Sequence, residues 1–215
     1  MPDPDAVAAL RHAPVADQIR SRRLIAVLRR IEPRERLLGL VATLAQDGVR
    51  VFEITFDAPS AGDDLAAVRE RLGASGIEKA VVGAGTILTA ERLEDAVGRG
   101  AAFVVGPTLD VAIIERAVEL RVPVIPGAYS PTEIALAWQA GATFVKVFPA
   151  SSLGPSHVRE LRGPLPDIEL IATGGVDAVN AGAFLAAGCV AVGVGGALVN
   201  GSRDERQAIL AAAGR

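Results

Sequence analysis

Eight short apolar runs, rich in β-branched residues, recur along this 215-residue chain, and longer segments of helical pattern separate them. The runs cover residues 24–28, 51–55, 80–83, 102–105, 122–125, 144–148, 169–172 and 190–194. Nearly continuous apolar runs are typical of parallel strands that are buried on both faces. The spacing therefore predicts a parallel sheet whose strands are joined by crossover helices.

The segments between the runs carry helix signals. Residues 33–47 start with a proline, place Leu37, Val41 and Leu44 at helical spacing, and end before Gly48. A glycine at that position is a common helix C-cap. Similar patterns cover residues 90–98, 110–120, 131–140 and 178–187, and one more helix is expected at about residues 4–20, before the first strand.

Eight strand–helix units predict an α/β fold, a single (β/α)8 TIM barrel over residues 1–215 with an extra N-terminal helix. No low-complexity linker divides the chain into parts. A doubly wound open sheet is the alternative, because periodicity alone does not show that a sheet closes.

Composition excludes several classes of function. The net charge is −3 and no basic cluster is present, which argues against nucleic-acid binding and against an anionic membrane surface. Cys189 is the only cysteine, so neither a disulfide framework nor a cysteine metal cluster is available. His12 and His157 form no convincing metal pair, and we expect no metal and no cofactor. With no signal-peptide pattern and no apolar run of membrane length, we expect a cytoplasmic protein.

Lysine is rare in this chain, which has only Lys79 and Lys146 among its 22 basic residues. Lys146 lies inside an apolar run, where an unpaired charge is costly to bury. It could pair with a carboxylate, or its amine could reach solvent at the strand end. Alternatively, burial lowers its pKa and frees the amine to attack a carbonyl, which an arginine could not do.

Glu53 is a second charged residue inside an apolar run. It could serve only to balance the charge of Lys146. It could also be a general acid/base whose pKa is tuned by the same pocket. Both residues would converge at the mouth of a barrel, where such folds place their active sites.

Two glycine pairs, Gly174-Gly175 and Gly195-Gly196, follow the last two strands. Barrels often bind phosphate at this place through backbone N–H groups, and glycine lets the backbone approach an anion closely. One pair alone would be read as a simple turn, but two pairs on adjacent strands favour a phosphate site. Thr173 precedes the first pair and is a substrate-binding candidate with it.

Five segments together resemble the 2-keto-3-deoxy-6-phosphogluconate (KDPG) and 4-hydroxy-2-oxoglutarate (KHG) aldolase family. They are Phe-Glu-Ile-Thr at 52–55, Val-Gly-Ala-Gly-Thr at 82–86, Val-Ile-Pro-Gly at 124–127, Phe-Val-Lys-Val-Phe-Pro-Ala at 144–150 and Ala-Thr-Gly-Gly at 172–175. The resemblance spans about residues 22–200 in the right order, and the combination is more specific than any one segment.

The resemblance implies roles for particular residues. Lys146 matches the Schiff-base lysine of the family, and Glu53 matches its acid/base. Thr86 matches a threonine near the pyruvate carboxylate, Pro107 matches a proline of the pocket wall, and the two glycine pairs match the phosphate end. Family members are usually homotrimers and need no metal.

Two positions depart from the family. Asp57 stands where many KDPG aldolases have an arginine, and an aspartate cannot hold a carboxylate. Arg29, at the end of the first strand, could supply that charge instead. Ala197 stands where the family often has a serine, which removes one hydroxyl from the phosphate end.

These residues and the resemblance together imply a class I aldolase that cleaves a 2-keto-3-deoxy-4-hydroxy acid, KDPG or a close relative, to pyruvate and an aldehyde such as glyceraldehyde 3-phosphate. Its partners would be a small keto acid and copies of itself in a homotrimer. Two alternatives stay open at this point. One is a phosphate-binding barrel that epimerises or isomerises a sugar phosphate, and the other is a non-catalytic barrel that binds a sugar acid.

Overall fold

The computed structural model describes residues 2–77 and 79–214. All strand pairs in this part of the chain are parallel. The strands are β1 (Leu24–Leu28), β2 (Val51–Thr55), β3 (Val81–Gly85), β4 (Val104–Val105), β5 (Val124–Ile125), β6 (Gly127–Ala128), β7 (Val145–Val147), β8 (Leu170–Thr173) and β9 (Cys189–Val194).

Helices alternate with these strands along the chain. They are α1 (Pro4–Arg11), α2 (Pro14–Arg22), α3 (Arg34–Asp47), α4 (Ala61–Ala74), α5 (Ala90–Gly98), α6 (Val111–Glu119), α7 (Pro131–Gln139), α8 (Ala150–Leu161), α9 (Ala181–Ala186), α10 (Gly196–Asn200) and α11 (Arg203–Ala212). Within the described residues, no helix is both long and apolar enough to cross a membrane.

The sheet closes into a barrel through a strand that is interrupted at Pro126. The strand order is β5-β4-β3-β2-β1-β9-β8-β7-β6, so β5 and β6 stand at the two ends of the order. They are consecutive pieces of one strand, separated only by Pro126, whose carbonyl accepts a hydrogen bond from the Lys146 N–H at 2.9 Å. The predicted eight-stranded barrel is confirmed, and the open doubly wound sheet is wrong.

Side chains alternate between two cores, because successive residues of a strand point to opposite faces. Phe52 and Ile54 of β2 face outward into the core between strands and helices. Val51 faces inward, and Glu53 follows two residues later on the same inner face. Phe144, just before β7, and Lys146, within it, repeat this arrangement. The barrel interior thus has an apolar lower part and a charged upper part.

Helix α2 closes the bottom of the barrel. Its Ala16 and Ile19 are fully buried. They join the inner core of Ile25, Val51, Phe103, Val105, Ile125, Phe144, Ile171 and Ala191. This plug excludes water from below, so a polar group inside the barrel can meet solvent only at the opposite end.

Several boundaries differ from the sequence-based prediction. The single helix expected at 4–20 is two helices, because Pro14, which has no N–H to donate, begins a new helix after the C-cap His12. The strand expected at 102–105 shortens to two residues, and the one expected at 122–125 continues past Pro126. Helix α8, for which the patterns gave no bounds, has non-helical backbone at Gly154, where φ is +74°.

If α2 stabilises the barrel from below, a cavity made in this plug should destabilise the whole fold. We expect Ile19→Ala to lower the free energy of unfolding by about 2–5 kcal/mol, the usual cost of truncating a buried isoleucine. Urea denaturation measures this. Arg22→Ala, on the exposed surface of the same helix, is the control and should change it by less than about 0.5 kcal/mol. Equal effects of the two changes would contradict the plug.

Candidate active site

A cavity of about 620 Å³ opens at the carboxyl ends of the strands. Its size is that of an ordinary small-molecule site. It is lined by Val27, Arg29, Lys146, Phe148, Thr173, Gly174, Gly175, Val176, Asp177, Gly193, Gly195, Gly196 and Ala197. These residues come from the ends of β1, β7, β8 and β9, where TIM barrels carry their sites.

Most of the site residues expected from sequence meet in this cavity. Seven of them are in its lining: Arg29, Lys146, Thr173, Gly174, Gly175, Gly195 and Gly196. Three are not: Glu53, Thr86 and Pro107. Glu53 and Thr86 lie next to lining residues, as described below. The Pro107 carbonyl lies so close to Gly127 that a side chain on Gly127 would come within 2.2 Å of it.

Lys146 is buried, although it lines the cavity. Only 5% of the residue is exposed, so its amine does not reach bulk solvent as a surface lysine would. Nζ lies 4.4 Å from the centre of the Phe148 ring. Among the described residues no carboxylate lies within salt-bridge distance of this amine. In the described residues Lys146 therefore has neither a salt-bridge partner nor a solvent-exposed amine.

Burial lowers the pKa of Lys146 below its ordinary value of 10.5. The cause is desolvation, since a charged amine in a poorly hydrated site is less stable than a neutral one. Glu53 opposes this effect and Arg29 adds to it. The neutral amine, which is the nucleophilic form, is thus favoured by the position of the residue.

Glu53 is equally buried, at 3% exposure. Desolvation raises its pKa above the ordinary 4.5, while the charges of Lys146 and Arg29 partly counteract the rise. Its carboxyl group occupies space that exists only because Gly85 has no side chain, since a Cβ there would lie 1.9 Å from Oε1. A glycine on β3 therefore makes room for the carboxyl group on β2.

Arg29 brings a positive charge to the cavity rim. Its Nη1 lies 2.5 Å from Asp57 Oδ2, and its Nη2 donates a hydrogen bond to Thr86 Oγ1 at 3.2 Å. Thr86 itself has a φ of +58°, a left-handed conformation that is uncommon for a β-branched residue. The contacts of Arg29 join the tips of β1, β2 and β3.

The far end of the cavity is formed by glycines. Gly174 and Gly175 have φ values of +92° and +73°, which favour glycine. A Cβ on Gly175 would also come within 2.5 Å of Ser151. Gly195 and Gly196 stand where β9 passes into α10. At this end the cavity is bordered mainly by backbone groups, which a polar ligand could approach closely.

Sequence reasoning missed several lining residues. Gly193 lies within β9, and a side chain there would come within 2.4 Å of Thr173 Oγ1. A glycine inside an apolar strand is a signal of close approach and could have marked it. Asp177 carried no such signal, because its carboxylate makes a local turn by accepting from the N–H groups of Val179 and Asn180.

No group of three metal-ligating side chains is found among the residues that the structure describes. The chemistry available at the cavity is that of the Lys146 amine and the Arg29 guanidinium in its lining, with the buried Glu53 carboxyl group acting on both electrostatically. This set suits attack on a carbonyl carbon followed by proton transfer.

Comparisons with known proteins agree with this chemistry. The model of the family described as "KDPG and KHG aldolase" matches residues 15–212. The 2-dehydro-3-deoxy-6-phosphogalactonate aldolase of Escherichia coli (strain K12) is 36% identical over 192 residues, which are 88% of this chain and 91% of that protein. The 2-dehydro-3-deoxy-phosphogluconate aldolase of Haemophilus influenzae is 33% identical, over 80% of this chain and 79% of that protein.

A solved structure described as native KDPGal superposes with a TM-score of 0.78 at 33% identity, covering 88% of this chain and 93% of the other. The match of the family model extends from α2 to the end of α11, and so includes every strand of the barrel. The sugar-phosphate isomerase and the non-catalytic barrel are thereby set aside. The chain belongs to the KDPG and KHG aldolase family and is a class I aldolase.

Proposed function

We propose that this aldolase cleaves a 6-phosphorylated 2-keto-3-deoxy-4-hydroxy acid, KDPG or a close relative, to pyruvate and an aldehyde such as glyceraldehyde 3-phosphate. The observation that carries the proposal is the buried Lys146 amine at the cavity floor, whose pKa is lowered by desolvation. A lysine with a purely structural role is expected to pair with a carboxylate, and none lies within salt-bridge distance of Lys146 in the part of the chain that the structure describes.

In this proposal Lys146 is the nucleophile. The neutral Nζ attacks C2 of the keto acid to give a carbinolamine, which loses water to form a protonated imine. The C3–C4 bond then breaks, its electron pair moves toward the imine nitrogen, and the aldehyde leaves. The pyruvate enamine that remains takes a proton at C3, and hydrolysis of the imine releases pyruvate and the free lysine.

Glu53 is the proposed acid/base. Burial raises its pKa, so the protonated form is more accessible than in an exposed glutamate, and a group that both donates and accepts protons needs both forms. It would donate a proton as the carbinolamine loses water and accept the proton of the C4 hydroxyl as the C3–C4 bond breaks. Its burial beside Gly85 holds it on the inner face of the barrel that Lys146 also occupies.

The two ends of the cavity would bind opposite ends of the substrate. Arg29, with Thr86 behind it, would bind the carboxylate at the rim near β1. Thr173 and the two glycine pairs would bind the distal end, and the N–H groups of the glycines suit a phosphate there. The names of the two relatives, a phosphogalactonate and a phosphogluconate aldolase, support a phosphorylated sugar acid.

Three further expectations remain proposals. Pro107 would limit the pocket on the side of Gly127, the residue paired with Lys146 across the sheet. The enzyme would be a homotrimer, and it would act in the cytoplasm.

Purified enzyme offered KDPG, its galactonate epimer and KHG tests the substrate directly, with pyruvate release followed by a coupled lactate dehydrogenase assay. We expect cleavage of at least one phosphorylated epimer at a higher kcat/KM than that of KHG, because KHG is shorter and has no phosphate to bind at the glycine end. Lys146→Arg should abolish all of it, since a guanidinium forms no imine. Turnover that persists in this variant, or preference for KHG, would contradict the proposal.

Glu53→Gln separates an acid/base from a group that only balances charge. If Glu53 transfers protons, this nearly isosteric change should lower kcat by roughly 10²–10⁴-fold. Exchange of the pyruvate methyl protons with deuterium, followed by NMR, should fall with it, since exchange requires protonation of the enamine at C3. A folded variant that exchanges pyruvate at the normal rate would move proton transfer to another group.

A further inference from the structure

Two arginines share one carboxylate at the cavity rim. Arg29 and Arg30 follow β1, and Asp57 follows β2. Asp57 Oδ2 lies 2.5 Å from Arg29 Nη1 and 3.2 Å from Arg30 Nε. Arg30 Nη2 also donates a hydrogen bond to the backbone carbonyl of Asp57 at 2.8 Å. Asp57 therefore organises both guanidinium groups, although only Arg29 lines the cavity.

This cluster carries one uncompensated positive charge. The Asp57 side chain is only 14% exposed, and burial alone would raise its pKa. A hydrogen bond from Thr55 and the charges of the two arginines outweigh the effect of burial, so the pKa of Asp57 is lowered. Asp57 thus stays ionised. Neither arginine forms a salt bridge with another carboxylate in the described part of the chain. One more carboxylate would balance the cluster.

Asp57 also limits the movement of Arg29. Half of the Arg29 side chain is exposed, and a free arginine at such a site would lose considerable rotamer entropy on binding a ligand. Here one terminal nitrogen contacts Asp57 and the other donates to Thr86. The guanidinium is held in place before the substrate arrives, which reduces the entropy that binding must overcome.

We propose that Asp57 is a positioning residue for substrate binding: it fixes the Arg29 guanidinium against Thr86 at the rim, so that the carboxylate of the keto acid completes the charge balance of the two arginines. Asp57 thus contributes to binding through Arg29, although its own negative charge prevents it from binding the carboxylate of the keto acid. This inference rests on the proposed function, because it takes the keto-acid carboxylate as the ligand of Arg29.

The test is the pyruvate dependence of deuterium exchange in Asp57→Asn. Loss of the anchor should raise the KM for pyruvate roughly tenfold, the order expected from the freed rotamers of one arginine. The kcat of exchange should change little, because Lys146 and Glu53 are untouched. Thr86→Val removes the other contact of Arg29 without changing charge, and should raise the same KM to a smaller extent.

Asp64→Asn is a matched control. Asp64 Oδ1 lies 2.7 Å from Arg34 Nε, and its side chain is also 14% exposed, but this pair joins α3 and α4 outside the cavity. The change removes a similar carboxylate from a similar arginine. It should leave the KM and kcat of exchange unchanged, while thermal unfolding shows how far each substitution affects stability.

A double-variant cycle shows whether Asp57 acts through Arg29. Arg29→Gln should raise the KM by itself, and adding Asp57→Asn to it should have no further effect. Additive effects, an unchanged or lower KM in Asp57→Asn, or a loss confined to kcat would overturn the inference. A wild-type enzyme that exchanges no pyruvate protons would instead overturn the proposed function, so the two failures are distinct.

Discussion

An amine and a carboxyl group buried inside one barrel form the constraint on which the rest of the site depends. Charged forms of Lys146 and Glu53 are poorly hydrated there, and burial pushes the pKa of the lysine down and that of the glutamate up. Each residue is thereby moved toward its neutral form. The same burial that would cost stability if both groups were charged favours a neutral amine, which is nucleophilic, and a protonated carboxyl group, which can donate a proton.

The architecture creates this burial and limits it to one end. Helix α2 seals the bottom of the barrel with Ala16 and Ile19, so the inner faces of the strands are dry below and open above. Lys146 and Glu53 lie at the boundary between the two parts. Glycines then supply the space that bulky residues would take, as Gly85 does for the Glu53 carboxyl group. The shape of the pocket therefore depends on its glycines as much as on its side chains.

Much of this could be predicted from sequence, because it depends on local periodicity. The nearly continuous apolar runs predicted the strands and marked Lys146 and Glu53 as exceptions, and the order of segments indicated the family. What escaped prediction depends on contacts between distant segments. The ion pair of Asp57 with Arg29, 2.5 Å between Oδ2 and Nη1, joins side chains that follow two different strands, and no pattern along the chain predicts it. Helix α8 was missed for a local reason, because Gly154 and Pro155 interrupt its helical sequence pattern and the backbone at Gly154 is non-helical.

The central claim is that the buried Lys146, and not the other lysine, forms an imine with the substrate. Reduction with borohydride in the presence of pyruvate, followed by peptide mapping by mass spectrometry, tests it directly, since the chain has only two lysines. The account predicts one adduct per chain, located on Lys146 and lost in Lys146→Arg but retained in Lys79→Arg. An adduct on Lys79, or no pyruvate-dependent adduct on a folded protein, would contradict it.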